Sequence, residues 1–163
     1  MPPTTPRALR FASLNEAFAA AESLASVRCE TVGRFSTGQI FDHLARTIEM
    51  AIGERAAPKM PLIAKWYVRL FRKKLLNSPF KPGMQLPSEA QDLFWSAEDI
   101  AVPEAMRTLR RAVARFQETE RFPSHALFGK LSKADQEKMQ CRHMELHLGF
   151  IYPLNDACDK VDN

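Results

Sequence analysis

The stretch Ser36-Thr37-Gly38-Gln39-Ile40-Phe41-Asp42-His43-Leu44-Ala45-Arg46-Thr47-Ile48-Glu49-Met50-Ala51 decides how the rest of the chain reads. Ser36 and Gln39 stand at capping-box spacing: the serine accepts from the N3 amide and the glutamine reaches back. Phe35 precedes them as a candidate hydrophobic staple. Ile40, Phe41, Leu44, Ile48 and Ala51 then recur at helical steps, marking one buried face, and Gly53 supplies a stop. His43 falls on that apolar stripe beside Leu44. Taken alone, it reads as a core histidine with one hydrogen bond.

The same grammar repeats outward. Ser13-Leu14-Asn15-Glu16 is a second capping box, and Phe18, Ala21, Leu24 and Ala25 follow it, which predicts a helix over about 14–26. A third helix is expected from about Pro61 to Leu76, with proline in the first turn, where its missing amide costs nothing. Asn77, Pro79, Pro82, Gly83 and Pro87 then demand a connection that is neither regular helix nor central strand, a candidate functional loop or lid. Val102-Pro103-Glu104 opens a helix to about Glu118, with Met106, Leu109, Val113 and Phe116 on one face. After a second loop over 121–129, Ser132-x-x-Asp135 caps a last helix reaching about Ile151, and Pro153 ends it. Only six glycines occur, and no stretch sustains period-two alternation. The expectation is an all-α bundle of four long helices plus one extra, a single domain over 1–163 with its core at about 13–151.

Composition narrows the class. An apolar fraction of 45% and a charged fraction of 26% suit a folded globular domain and exclude a largely disordered chain. No apolar run approaches the ~20 residues of a membrane-spanning helix. The segment MPPTTPRALRFASL lacks an apolar core followed by a small-residue cleavage site, so a cytoplasmic protein is expected. Cys29, Cys141 and Cys158 are odd in number and form no C-x-x-C pair, and they read as free thiols. The net charge of +4 is too small by itself to imply nucleic acid.

The last helix holds His143 and His147, four residues apart and therefore stacked on one face. That spacing lets two imidazoles converge on one zinc- or nickel-like ion, and His43 is the natural third ligand from another helix. Three unpartnered imidazoles in a core would be costly without a common partner. The pair alone also reads as an exposed or capping pair. It is not the H-E-x-x-H protease pattern: Glu145 follows His143 by two and points off the metal-facing side. Di-iron bundles need Glu-x-x-His motifs, but Ile40, Gln140 and Met144 occupy the positions three before these histidines. His125, in the loop before the last helix, is open to three readings: a helix cap, a metal ligand or a substrate contact. A plain turn residue is the bland alternative. Cys141 reads as a core or near-surface thiol, and nothing places Cys29 at the site. Asp42 and Glu49 are near His43 in sequence, but neither can be named as acid or base.

Lys59, Lys65, Arg69, Arg72, Lys73, Lys74 and Lys81 form a basic run with no acid between Arg55 and Ser88. Leu62, Trp66, Leu70 and Phe71 interleave with it. The favoured reading is a solvated basic face with Trp66 packed in the core; a membrane surface, nucleic acid or anionic small molecule is the alternative. Arg107, Arg110, Arg111 and Arg115 make a second basic stripe, which would favour an anionic substrate if both stripes met near the histidines.

Ser36 through Ala45 resembles the second-helix motif of the DinB/YfiT-like superfamily, nearest the branch called domain of unknown function 1569. His125-Ala126-Leu127-Phe128-Gly129-Lys130-Leu131-Ser132, followed by His143-x-x-x-His147-Leu148, resembles that branch's later motif. The likeness runs from about Ser13 to Ile151. It implies an up-and-down four-helix bundle with a mononuclear site of His43, His143 and His147. The superfamily includes metal-dependent thiol transferases and mycothiol-dependent isomerases, while this branch carries no established reaction. Two departures stand out: Ala126 where the family often has proline, and Gly149-Phe150-Ile151-Tyr152 in place of a Gln-Phe-Gly-like ending. The second would alter the pocket rim.

The expectation is therefore a metal-dependent transferase or hydrolase with a divalent ion, a small-molecule substrate and, for a transferase, a low-molecular-weight thiol as cofactor. The alternative is a non-catalytic binding or stress-related module whose metal is structural or absent, with the basic helix serving an anionic partner. Nucleic acid is disfavoured, and a bundle face is open to homodimer formation.

Overall fold

Each serine cap starts its helix where the spacing predicts. A computed structural model describes residues 5–83 and 88–154; Pro87 and Cys158 lie outside them. Helix α1 spans Leu14–Ala25, and Ser13 Oγ accepts from the Glu16 amide at 3.2 Å. Helix α2 spans Thr37–Ile52 behind a complete capping box at Ser36 and Gln39, and Gly53 ends it in the left-handed region at φ 84°. Two short helices follow, α3 (Leu62–Leu70) and α4 (Arg72–Asn77), then α5 (Ser88–Phe94). Helix α6 spans Val102–Glu118 with proline in its first turn. Helix α7 spans Lys133–Leu148, capped by Ser132.

The result is an all-α fold with a small sheet added. Helices α1 and α2 each pack on both α6 and α7. Their facing stripes bury Leu14, Phe41, Ile48, Leu109, Phe116 and Leu148 almost completely, each worth about 1.5–3 kcal/mol in removed apolar surface. Gly38 lets α2 approach the chain ahead of α6: a Cβ there would lie 1.7 Å from the Ile100 carbonyl oxygen. A buried ion pair ties the segment before α1 to α7. Glu145 and Arg142 meet at 2.6 Å, Glu145 accepts from the Phe11 amide and Arg142 donates to the Phe11 carbonyl.

Several expectations need correcting. The third helix breaks at Phe71 into α3 and α4, and α5 lies beyond the proline-rich connection. Trp66 is not in the core: α3 has no buried residue, and its apolar side chains face outward. The firmer anchor is at the α4 end, through buried Leu76 against Phe128, Leu131 and Met139, with partly buried Val68 of α3 beside them. A two-stranded antiparallel ribbon joins β1 (Cys29–Thr31) to β2 (Ile151–Pro153), with Cys29 opposite Pro153. The last helix therefore ends at Leu148, short of Ile151, because Gly149 passes close to the Arg7 carbonyl and Ile151 enters the ribbon. Phe35, ahead of the α2 cap, stacks on Trp95. No helix of the described residues is long and apolar enough to cross a membrane.

Candidate metal centre

Helix α2 delivers His43 and α7 delivers His143 and His147 to one point. His43 is buried, while His143 and His147 keep partial exposure, so the point opens on the α7 side. His43 Nε2 lies 3.1 Å from His143 Nε2 and 3.1 Å from His147 Nε2. Its Nδ1 is 3.0 Å from the Phe94 carbonyl oxygen, an acceptor only. Nδ1 must therefore carry the proton, which leaves the Nε2 lone pair pointing at the other two rings. One lone pair contested by two neighbours is poor hydrogen bonding. It is good ligation: two tetrahedral ligands at about 2.0–2.1 Å from zinc lie about 3.3 Å apart, close to the spacing here. The three residues fit a divalent ion, and the Phe94 carbonyl is the outer partner that commonly fixes a ligating histidine.

Electrostatics point the same way. Burial, opposed by the Phe94 hydrogen bond, lowers the His43 pKa to about 4. Burial first, then the neighbouring imidazoles, holds His143 and His147 well below the ordinary histidine range. All three are neutral near pH 7, the state a metal needs.

A ring stack braces this arrangement. Trp95 lies on His43 with centroids 3.9 Å apart and planes 3° from parallel. Phe35 lies on Trp95 at 3.6 Å and 6°, and the Arg34 guanidinium caps Phe35 at 4.6 Å. Helix α2 holds the Trp95 segment in turn: Gln39 donates to the Ser96 and Glu98 carbonyls, and Arg46 donates to the Asp92 carbonyl. Sequence reading missed Trp95 and Phe94 because nothing local links them to a histidine 51 residues away.

It also missed Gln136 and Gln140. With His143 and His147 they follow a 4-3-4 spacing, which sets all four on one face of α7. Both amides are buried, and none of their four polar atoms has a partner among the described residues. That spacing was legible in the sequence and is the signal that would have found them.

His125 is not a ligand of the group. Its Nδ1 accepts from the Leu127 and Phe128 amides at 3.1 and 3.2 Å, so its proton sits on Nε2. Burial lowers its pKa to about 4. Among the described residues the metal-capable cluster is His43, His143 and His147.

Other expected participants are engaged elsewhere. Asp42 pairs with Arg46 at 2.6 Å and Glu49 with Arg55 at 3.0 Å. Cys29 Sγ donates to the Leu24 carbonyl, and Cys141 is a buried thiol pushed up to about 12 by burial. The second basic stripe does not converge on the histidines: Arg110 pairs with Glu22 and Arg115 with Glu54.

Neither the curated proteins nor the solved structures compared with the chain contain a match. The family model described as protein of unknown function (DUF1569) matches residues 3–154, a span that holds all four histidines. The chain belongs to that family, part of the DinB/YfiT-like branch.

Proposed function

We propose that the protein is a single-domain, up-and-down four-helix bundle that uses His43, His143 and His147 to bind one divalent ion, zinc or nickel, for work on a small molecule. The observation that carries this reading is the convergence of three neutral imidazole nitrogens, two separations being 3.1 Å. When bound, such an ion acidifies water or binds a thiolate at a position the three histidines leave open.

The chain's own residues do the rest. Trp95 and the Phe94 carbonyl fix the His43 ring and exclude water from its buried side. His125, neutral and protonated at Nε2, offers a donor for negative charge developing at the site. Gln136 and Gln140 offer amide donors and acceptors for the polar part of a substrate. Asp42, Glu49 and Glu145, the carboxylates nearest these histidines in sequence, are all paired with arginines and are not set up as general bases. The likeness to a superfamily that includes metal-dependent thiol transferases favours transfer from a low-molecular-weight thiol over hydrolysis, and a thiol, ionising near 8.5, reaches such an ion as thiolate. The pairing of these three carboxylates supports the second reading, a non-catalytic binding or stress-related module with a structural metal.

Metal analysis of the purified protein tests the first claim. About one ion per chain is expected, lost in His43→Ala and His147→Ala; wild type without stoichiometric metal and indifferent to chelator would sink it. A screen of thiol cofactors with metal-loaded protein then separates transferase from binder, since turnover of no thiol substrate leaves the binding module.

A further inference from the structure

Helix α3 carries the largest surface anomaly of the molecule. Leu62, Ile63, Trp66, Tyr67 and Leu70 follow one another at steps of one, three, one and three, which aligns them in one stripe. That stripe faces outward: Ile63 is 84% exposed, Leu62 81% and Trp66 69%. Isolated exposed apolar residues are ordinary, but a contiguous run on one helix marks an interaction surface. The inward side of α3 contributes only partly buried Val68 to the second core, so the helix rests lightly on the fold.

Charge selects the partner. Lys65 and Arg69 stand one turn apart along the border of the stripe, and Lys73 and Lys74 are exposed just beyond it. No acidic residue occurs between Arg55 and Ser88. A two-fold dimer through this face would set the same cations of two copies against one another, which is repulsive. An anionic lipid surface satisfies both features at once: Trp, Tyr and Leu enter the headgroup boundary while Lys and Arg meet the phosphates.

We propose that α3, with the basic start of α4, is an interfacial anchor that seats the protein on anionic membrane surface. The contacts behind it reach the candidate site. Arg69 lies against Gly129, and Arg72 donates to the Lys130 carbonyl at 3.0 Å. Gly129 pairs backbone to backbone with His125. The anchor is therefore built onto the loop that holds His125, although the proposal does not rest on any reading of the histidines.

Co-sedimentation of the full chain with vesicles tests it. Binding is expected to vesicles of equal parts phosphatidylcholine and phosphatidylglycerol at low salt, to fall as sodium chloride is raised, and to be negligible with phosphatidylcholine alone. Trp66→Ser with Leu70→Ser should cut the bound fraction about tenfold by removing interfacial area, with an unchanged melting temperature. Lys65→Gln with Lys73→Gln should do the same through charge, and this pair keeps the test decisive if the serines disturb the helix. Binding indifferent to both double variants would overturn the proposal, as would equal binding to neutral vesicles. So would absence of vesicle binding by a dimer that Trp66→Ser dissociates, or selective capture of duplex DNA in place of vesicles.

Discussion

Helices α7 and α3 invert the usual distribution of side chains in opposite senses. Helix α7 buries Gln136, Gln140, Arg142 and Glu145, and carries two histidines into the site. Helix α3 buries nothing and exposes five large apolar side chains on one stripe. Buried polar groups and exposed apolar stripes are the informative exceptions to ordinary burial. On α7 the exception divides in two. Arg142 and Glu145 satisfy each other and the Phe11 backbone, which is structural, whereas the glutamines have no partner within the described chain. The two glutamines, whose amides have no partner at all among the described residues, sit in the row that leads to the histidines. The contrast teaches that each inversion points to something outside the polypeptide, a small polar ligand for α7 and a surface for α3.

The sharpest way to break this contrast is to remove a ligand. His147→Ala should abolish stoichiometric metal, weakening affinity by more than the 10–100-fold typical of losing an outer partner alone. Trp66→Ser should leave metal content unchanged. Elemental analysis of both variants decides it, and equal metal in both would dissolve the distinction between the two helices. In wild type, added zinc should also raise the melting temperature, since ligand binding to the native state stabilises it by mass action.

Packing separates the two helices next. Phe116 is fully buried between the long helices, so Phe116→Ala should cost about 3–5 kcal/mol in denaturant unfolding. Trp66→Ala removes a larger ring yet should stay within about 0.5 kcal/mol, because its ring is already in solvent. A large loss for Trp66→Ala would mean that α3 is covered by protein in solution.

How much of this was legible follows from the range of each signal. The caps at Ser13, Ser36 and Ser132 and the stripe of α6 are written within a few residues, and those helices begin or run as the sequence predicts. His143 and His147 were legible as a pair for the same reason. Amphipathic spacing on α3 says that one face is apolar, but not what covers it, so Trp66 was placed in the core. The Trp95 stack could not be read, because it depends on α2 and the segment after α5 meeting in space. The β1–β2 ribbon escaped because three-residue strands leave no alternation to detect.

Acid should act on the histidine cluster of α2 and α7 before α3. His43 has an ordinary pKa of 6.5 in the unfolded chain and about 4 in the fold. The unfolded state therefore binds more protons between these values, and stability must rise with pH across them. The contribution of His43 is fully present above about 6.5 and is lost as the pH falls through about 4. His143 and His147, lowered also by burial and by one another, act in the same direction. Denaturant midpoints of metal-free protein should fall steadily from pH 7 to pH 4. His43→Phe should flatten part of that slope, whereas Lys65→Gln should not change it. A slope unaltered in His43→Phe would show that the buried ring is not what acid attacks.

The smallest expected effect is the most diagnostic for the α7 row. Gln140 is buried with both amide atoms unpartnered among the described residues, so leucine, of similar size, removes an unsatisfied polar group from the interior. Gln140→Leu should stabilise the fold by about 1 kcal/mol, the lower end of the cost of a buried unpaired group. Metal content should remain at the wild-type level, because Gln140 lies outside the histidine cluster. Destabilisation of similar size would instead mean that the amide is hydrogen-bonded in the folded protein and belongs to its structure. Stabilisation joined to intact metal binding would set Gln140 apart from Arg142 and Glu145, whose buried charges hold the fold together. A residue that costs stability where leucine would add it, one turn from His143 and two from His147, is placed to recognise a polar ligand.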